Sequence, residues 1–112
     1  MTPAQFRKIA LSFPDVSESA HMSHPDFRVS GKIFATLGYP DKEHGMVVLP
    51  LEEQARVVRS HPKIFVPAKG AWGKRGSTTV LLRAADTAML QDALGIAWRG
   101  RTDRRSRSRK SG

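Results

Sequence analysis

The chain predicts an α+β fold, a two-layer sandwich in which helices cover one face of a predominantly antiparallel sheet. Three observations carry this. Residues 24–37, HPDFRVSGKIFATL, hold two runs of β-branched and aromatic residues around Ser30-Gly31-Lys32, the pattern of a β-hairpin. Apolar residues recur at helical spacing near the N-terminus, after Pro50 and around residue 90. The resulting order is helix, three sequential strands, helix, loop, strand, helix, and a connection as short as residues 30–32 forces the first strand pair to be antiparallel.

The first helix is announced by Thr2-Pro3-Ala4-Gln5. Thr2 suits the cap, Pro3 suits the first helical position, and Gln5 is placed to close a capping box. Phe6, Ile9, Ala10 and Phe13 follow at i, i+3, i+4 and i+7, with Arg7 and Lys8 turned outward, and Pro14 stops the helix. Residues 15–22 are polar, carry mixed signals and read as loop. Two registers suit the hairpin. A two-residue Ser30-Gly31 loop pairs Phe27 with Phe34, whereas a three-residue loop ending at Lys32 sets Phe27, Val29, Ile33, Ala35 and Leu37 on one face. The second is preferred because it leaves one continuous apolar face to bury.

Residues 38–45 are dense in turn formers and lead to Met46-Val47-Val48-Leu49, a third strand ended by Pro50. A second helix follows, with Glu52 and Glu53 at its positive end, Leu51, Ala55 and Val58 facing inward, and Arg56 and Arg59 outward. His61-Pro62 terminates it. Ile64-Phe65-Val66 is a brief extended piece, and residues 68–77 form a loop with three glycines around Trp72. Residues 78–83 have strand propensity. Asp86 or Thr87 then opens a final helix with Met89, Leu90, Ala93, Leu94, Ala97 and Trp98 on its apolar side.

A chain of 112 residues is one domain, able to bury about two-thirds of its unfolded surface without a metal or disulfide staple. It has no cysteine, which excludes disulfides, thiolate metal sites and a cysteine nucleophile. No apolar run approaches the ~20 residues that cross a bilayer, and the first residues lack the pattern of a secretory signal. A soluble, cytoplasmic protein with no membrane partner is expected, monomeric by default. The net charge of +9 is unevenly divided. Residues 1–98 carry 12 Lys+Arg against 9 Asp+Glu, a net of +3, while residues 99–112 carry 7 basic residues against Asp103, a net of +6. That last stretch has no apolar side chain, so the prediction is a folded domain over 1–98 and a disordered basic tail over 99–112.

The opening helix ending Ala10-Leu11-Ser12-Phe13-Pro14, the stretch from His24 to Ala35, and Trp72-Gly73-Lys74-Arg75-Gly76 ahead of a strand and a closing helix together resemble the MmcQ/YjbR family of small bacterial proteins. The likeness spans residues 3–98, and none of its motifs is catalytic in type. It implies a CyaY-like sandwich and, from the label members commonly bear, DNA as a partner. The Arg/Ser tail departs from the family pattern.

The chemistry open to such a chain is mainly electrostatic. Arg28 and Lys32 at the hairpin, and Lys63, Lys69, Trp72, Lys74 and Arg75 in and before the long loop, combine phosphate donors with an indole able to stack on a base. The plainer reading has each cation merely solvated and Trp72 packed beneath its loop. In the tail, Arg101, Arg104, Arg105, Arg107, Arg109 and Lys110 attract any polyanion at low salt, without sequence preference. Gly73-Lys74-Arg75-Gly76 has a GXXG form but precedes a strand, so it reads as a glycine-rich turn. Glu18, His21, His24 and Asp26 are the candidate metal ligands, since Glu18-Ser-Ala-His21 has the spacing of one half of a di-iron site, but the chain supplies no second such motif or further glutamates, and solvated or turn-capping side chains are the preferred reading. The four histidines form no nucleophile or paired-carboxylate motif, so no catalytic residue, metal or cofactor is expected. The expectation is a non-enzymatic domain that binds nucleic acid, DNA first, weakly and through phosphates. The alternative is a protein or small-ligand adaptor with a solubilising tail. The first requires cations far apart in sequence to meet on one side of the fold.

Overall fold

A computed structural model of the chain describes residues 1–21 and 23–102. It is an α+β sandwich. The elements are α1 (Pro3–Leu11), β1 (Ser17–His21), β2 (His24–Val29), β3 (Lys32–Leu37), β4 (His44–Val48), α2 (Leu51–Ser60), β5 (Phe65–Pro67), α3 (Gly70–Lys74), β6 (Ser77–Leu81), a 3-10 turn (Leu82–Ala84) and α4 (Thr87–Thr102). The six strands form one sheet in the order β1-β2-β3-β4-β6-β5, and every neighbouring pair is antiparallel.

The predicted capping box is present: Thr2 Oγ1 accepts from the Gln5 N–H and Gln5 Oε1 accepts from the Thr2 N–H. At the start of α4, Asp86 Oδ1 accepts from the Met89 N–H and caps the helix. Both devices satisfy first-turn N–H groups that a helix cannot satisfy itself.

Register divides the residues between the two faces. Phe27, Ala35, Val47 and Thr78 align across four strands, with Leu37, Gly45, Val80 and Phe65 in the adjoining row. This face is covered by α1, α2 and α4: the Phe6 ring lies on Gly45, Gln54 reaches Thr78, and Arg56 of α2 meets Asp92 of α4. Phe6, Phe27, Phe34, Phe65, Leu90 and Leu94 are fully buried there. The opposite face carries Ser19, Asp26, Thr36, Met46, Thr79 and Val66 in one register row, of which Asp26 and Thr36 are buried, Met46 and Thr79 half-buried, and Ser19 and Val66 exposed.

Five expectations are corrected. Residues 17–21, read as loop, form β1; backbone pairing with β2 overrides their poor strand propensity, and Arg7 Nε donates to Glu18 at 2.6 Å. The hairpin combines the two registers. Val29 pairs with Lys32 across a two-residue turn, with φ of 54° at Ser30 and 76° at Gly31, yet Phe27 pairs with Ala35 because a bulge inserts Phe34. Ile33 therefore pairs with Arg28 rather than joining the core row. In α2 the buried residues are Gln54 and Val57; Ala55 is exposed, and so is Leu51 (56%), at the first helical position. The loop over 68–77 contains α3. Finally, α4 continues through residues 99–102, where the composition predicts the start of a disordered tail, because Arg101 Nε donates to the Ile33 carbonyl at 3.1 Å and Gly100 lies against the Pro50 ring.

The two outer strands are unequal. β5 has three residues and ends in Pro67, which has no N–H to offer, whereas β1 has five, reading Ser-Glu-Ser-Ala-His.

Candidate nucleic-acid interface

Antiparallel order decides which loops share an end of the sheet. The start of β3, the end of β4, the start of β6 and the end of β5 all lie at the hairpin end, because Lys32 follows the turn, Val48 pairs with Ser77, and Pro67 pairs with Thr78. The C-terminal turn of α4 reaches the same end through Arg101. Lys32, Lys69, Lys74, Arg75, Arg99 and Arg101 are thereby gathered at one pole. Strands β3 and β6 stand two spacings apart, about 10 Å. Lys32, Lys69, Lys74 and Arg75 are exposed, and among the described residues no carboxylate pairs with them. Glu52 and Glu53 open α2 at this pole too, with Glu53 held 2.7 Å from Arg56.

Lys63 is not part of the group. It precedes β5 at the far end, where the Leu81 N–H donates to the Ile64 carbonyl. Arg28 is also diverted. Its Nε and Nη2 donate to the two carboxylate oxygens of Asp26, 2.8 and 3.3 Å away, and Asp26 is fully buried. Those hydrogen bonds, then the charge of Asp26, raise the Arg28 pKa above its ordinary value. A guanidinium committed to a buried carboxylate on its own strand is a structural group first. Arg104, Arg105, Arg107, Arg109 and Lys110 lie outside the described residues.

Trp72 is 65% exposed, against the plainer reading that packed it under its loop. The cause is Gly73. A Cβ on Gly73 would come within 1.8 Å of the Ala68 carbonyl oxygen, so α3 can only seat with that glycine facing inward. Its neighbour is then turned out. Gly76, with φ of 110°, is as tightly held, since a Cβ there would meet the Leu49 carbonyl oxygen at 2.0 Å. The two glycines of the GXXG form thus serve backbone packing. Gln54 completes the seat: its Nε2 donates to the carbonyls of Gly73 (2.9 Å) and Ser77 (3.2 Å) and to Thr78 Oγ1 (3.1 Å). Sequence reasoning missed Gln54, and the only available signal was a polar residue at i−3 from Val57 on an otherwise apolar helix face.

The second indole behaves differently. Trp98 stacks on Phe13 with ring centroids 6.0 Å apart, and its Nε1 donates to the Pro14 carbonyl. Of the candidate metal ligands, Glu18 and His21 fall on β1 rather than on a helix and His24 and Asp26 on β2, and no cluster of three metal-ligating residues occurs among the described residues. His24 opens β2 and His61 caps the end of α2. At the far end, His44 Nδ1 lies 2.7 Å from Asp41 Oδ1; this hydrogen bond, then the Glu43 N–H, holds the Asp41 carboxyl below its usual range. A cavity of about 80 Å³ between α2, β5 and α4, lined by Arg56, Ser60, His61, Phe65, Met89 and Asp92, holds little more than water.

The YjbR family model matches residues 11–100. The chain belongs to the YjbR family. Among solved structures, this YjbR chain is similar to Deinococcus radiodurans protein DR2400, described by its DUF419 domain, with a TM-score of 0.73 at 16% identity over 87% of this chain and 75% of that one. The likeness shows a shared fold. No curated protein matches the YjbR chain. No described helix is long and apolar enough to cross a membrane.

Proposed function

We propose that this chain is a cytoplasmic, non-enzymatic domain of CyaY-like build that binds nucleic acid, DNA first, weakly and through phosphates. The observation supporting it is the gathering of Lys32, Lys69, Lys74 and Arg75 at one pole, exposed and, among the described residues, without carboxylate partners, beside the end of the helix that leads into the basic segment. Cations so placed gain by releasing counterions from a phosphate chain. The adaptor reading has in its favour the half-buried Met46 and Val48 and the exposed Val66 on the sheet face opposite the core row.

The test is a salt titration of binding to a labelled oligonucleotide, read by anisotropy. Wild type should bind at low salt, with log K falling linearly against log salt. Combined Lys32→Ala, Lys74→Ala and Arg75→Ala should shallow that slope by up to about 0.7–0.9 per lost phosphate contact. No binding at low salt, or a slope unchanged by the triple variant, would remove the folded domain from the proposal.

A further inference from the structure

We infer that the hairpin pole is built for single-stranded rather than duplex nucleic acid, with Trp72 as a stacking platform for an unpaired base. The inference rests on the binding proposed above and goes beyond it by naming the strand state of the ligand. Three features of the pole argue for it.

The first is the display of the indole. A tryptophan usually gains by burial, yet here about two-thirds of the residue's surface is in water while the residue after it is pressed into the fold. The second is the stiffness of its mount. α3 is anchored at Gly73 by contact with Ala68 and at the Gly73 carbonyl by Gln54, and its own last turn is closed by the Arg75 N–H bonding to the Ala71 and Trp72 carbonyls. A side chain presented from a fixed backbone loses little freedom when a base settles on it. The third is the frame. Lys69, Lys74 and Arg75 lie within three residues of Trp72 on either side, and Lys32 lies two strands away, so cations for the sugar-phosphate chain border the ring.

Duplex cannot use this arrangement well, since its bases offer only their edges in the grooves. An unpaired base offers a π-face. An anionic bilayer would also attract the cations, but a membrane-surface helix needs an apolar stripe over several turns, and α3 has five residues with one large apolar side chain.

The experiment uses the full chain with an oligothymidine and a duplex of equal phosphate number, plus vesicles containing anionic lipid. The expected result is tighter binding of the single strand and quenching of tryptophan fluorescence on binding. Trp72→Ala should weaken single-strand binding about 5- to 150-fold without changing the salt slope, whereas duplex binding should hardly change. Trp72→Phe should restore most of the affinity and abolish the quenching, since Trp98 is packed against Phe13. Equal affinity for both strand states, with Trp72→Ala indifferent, would overturn the inference and leave the phosphate-directed reading intact. Binding to neither would defeat both. Binding to vesicles through Trp72 without binding to oligothymidine would assign the pole to a lipid surface and overturn the inference.

Discussion

Replacing Gln54 by leucine tests how the pole is held together. The amide is buried, and its two N–H groups face three acceptors, the carbonyls of Gly73 and Ser77 and the hydroxyl of Thr78. Each acceptor keeps another partner when the amide is gone. The Gly73 carbonyl still accepts from Gly76, the Ser77 carbonyl from Ala68, and the Thr78 hydroxyl still donates to the Gly76 carbonyl. No oxygen is stranded, so the loss is that of two net hydrogen bonds, about 2 kcal/mol, and not a full desolvation penalty. For a domain of this size that lowers Tm by about 8–16 °C. Urea unfolding followed by circular dichroism should show a lower midpoint at unchanged m-value, with faster hydrogen exchange at the Arg75 and Gly76 amides. Gln91→Leu, exposed on α4, is the control and should stay within about 0.5 kcal/mol of wild type. If Gln54→Leu matches that control, the amide does not tether α3 and the fixed mount under Trp72 has to be given up.

Other outcomes follow from the same geometry. Arg28→Ala should lower thermal stability by leaving the buried Asp26 carboxylate without its bidentate partner and should barely affect oligonucleotide affinity, while Lys32→Ala should do the reverse; melting curves and anisotropy separate them. Asp41 has a folded pKa depressed below its unfolded value, so its ionised form adds stability above the unfolded pKa, and that stability is lost as pH falls through the folded one. Asp41→Asn should therefore be less stable than wild type at neutral pH, and the gap should close on acidification below the ordinary carboxylate value of 3.8, measured by urea unfolding at stepped pH. A chain ended at Thr102, which keeps α4 whole and removes five basic residues, should bind oligonucleotide with a flatter salt dependence by up to about 0.7 per lost phosphate contact.

The parts of the fold legible in the sequence are those fixed by neighbours along the chain. Thr2-Pro3 with Gln5 specifies a capped helix wherever it stands, and Ser30-Gly31 between β-rich runs specifies a tight hairpin. What was not legible depends on partners distant in sequence. The bulge at Phe34 reconciles a two-residue turn with a core facing Phe27 and Ala35, and nothing local announces it. β1 forms because β2 offers an edge, not because Ser-Glu-Ser-Ala favours extension. At the pole, the cations were visible as residues, but the removal of Arg28 by Asp26 and the separation of Lys63 follow from pairing and strand order. The outward turn of Trp72 was hidden for a similar reason, since it is set by how closely the glycine beside it must approach Ala68.

The unequal margins of the sheet bear on crowding. A protein that lines a polymer reaches local concentrations at which bare strand borders zip together into fibrils. Here one border is three residues closed by an imino acid, and the other carries Glu18 tied to Arg7 across its inner side. If the binding proposed above crowds copies together, the margin at β5 gives a second sheet little to pair with, and any added strand would have to start along the five residues of β1.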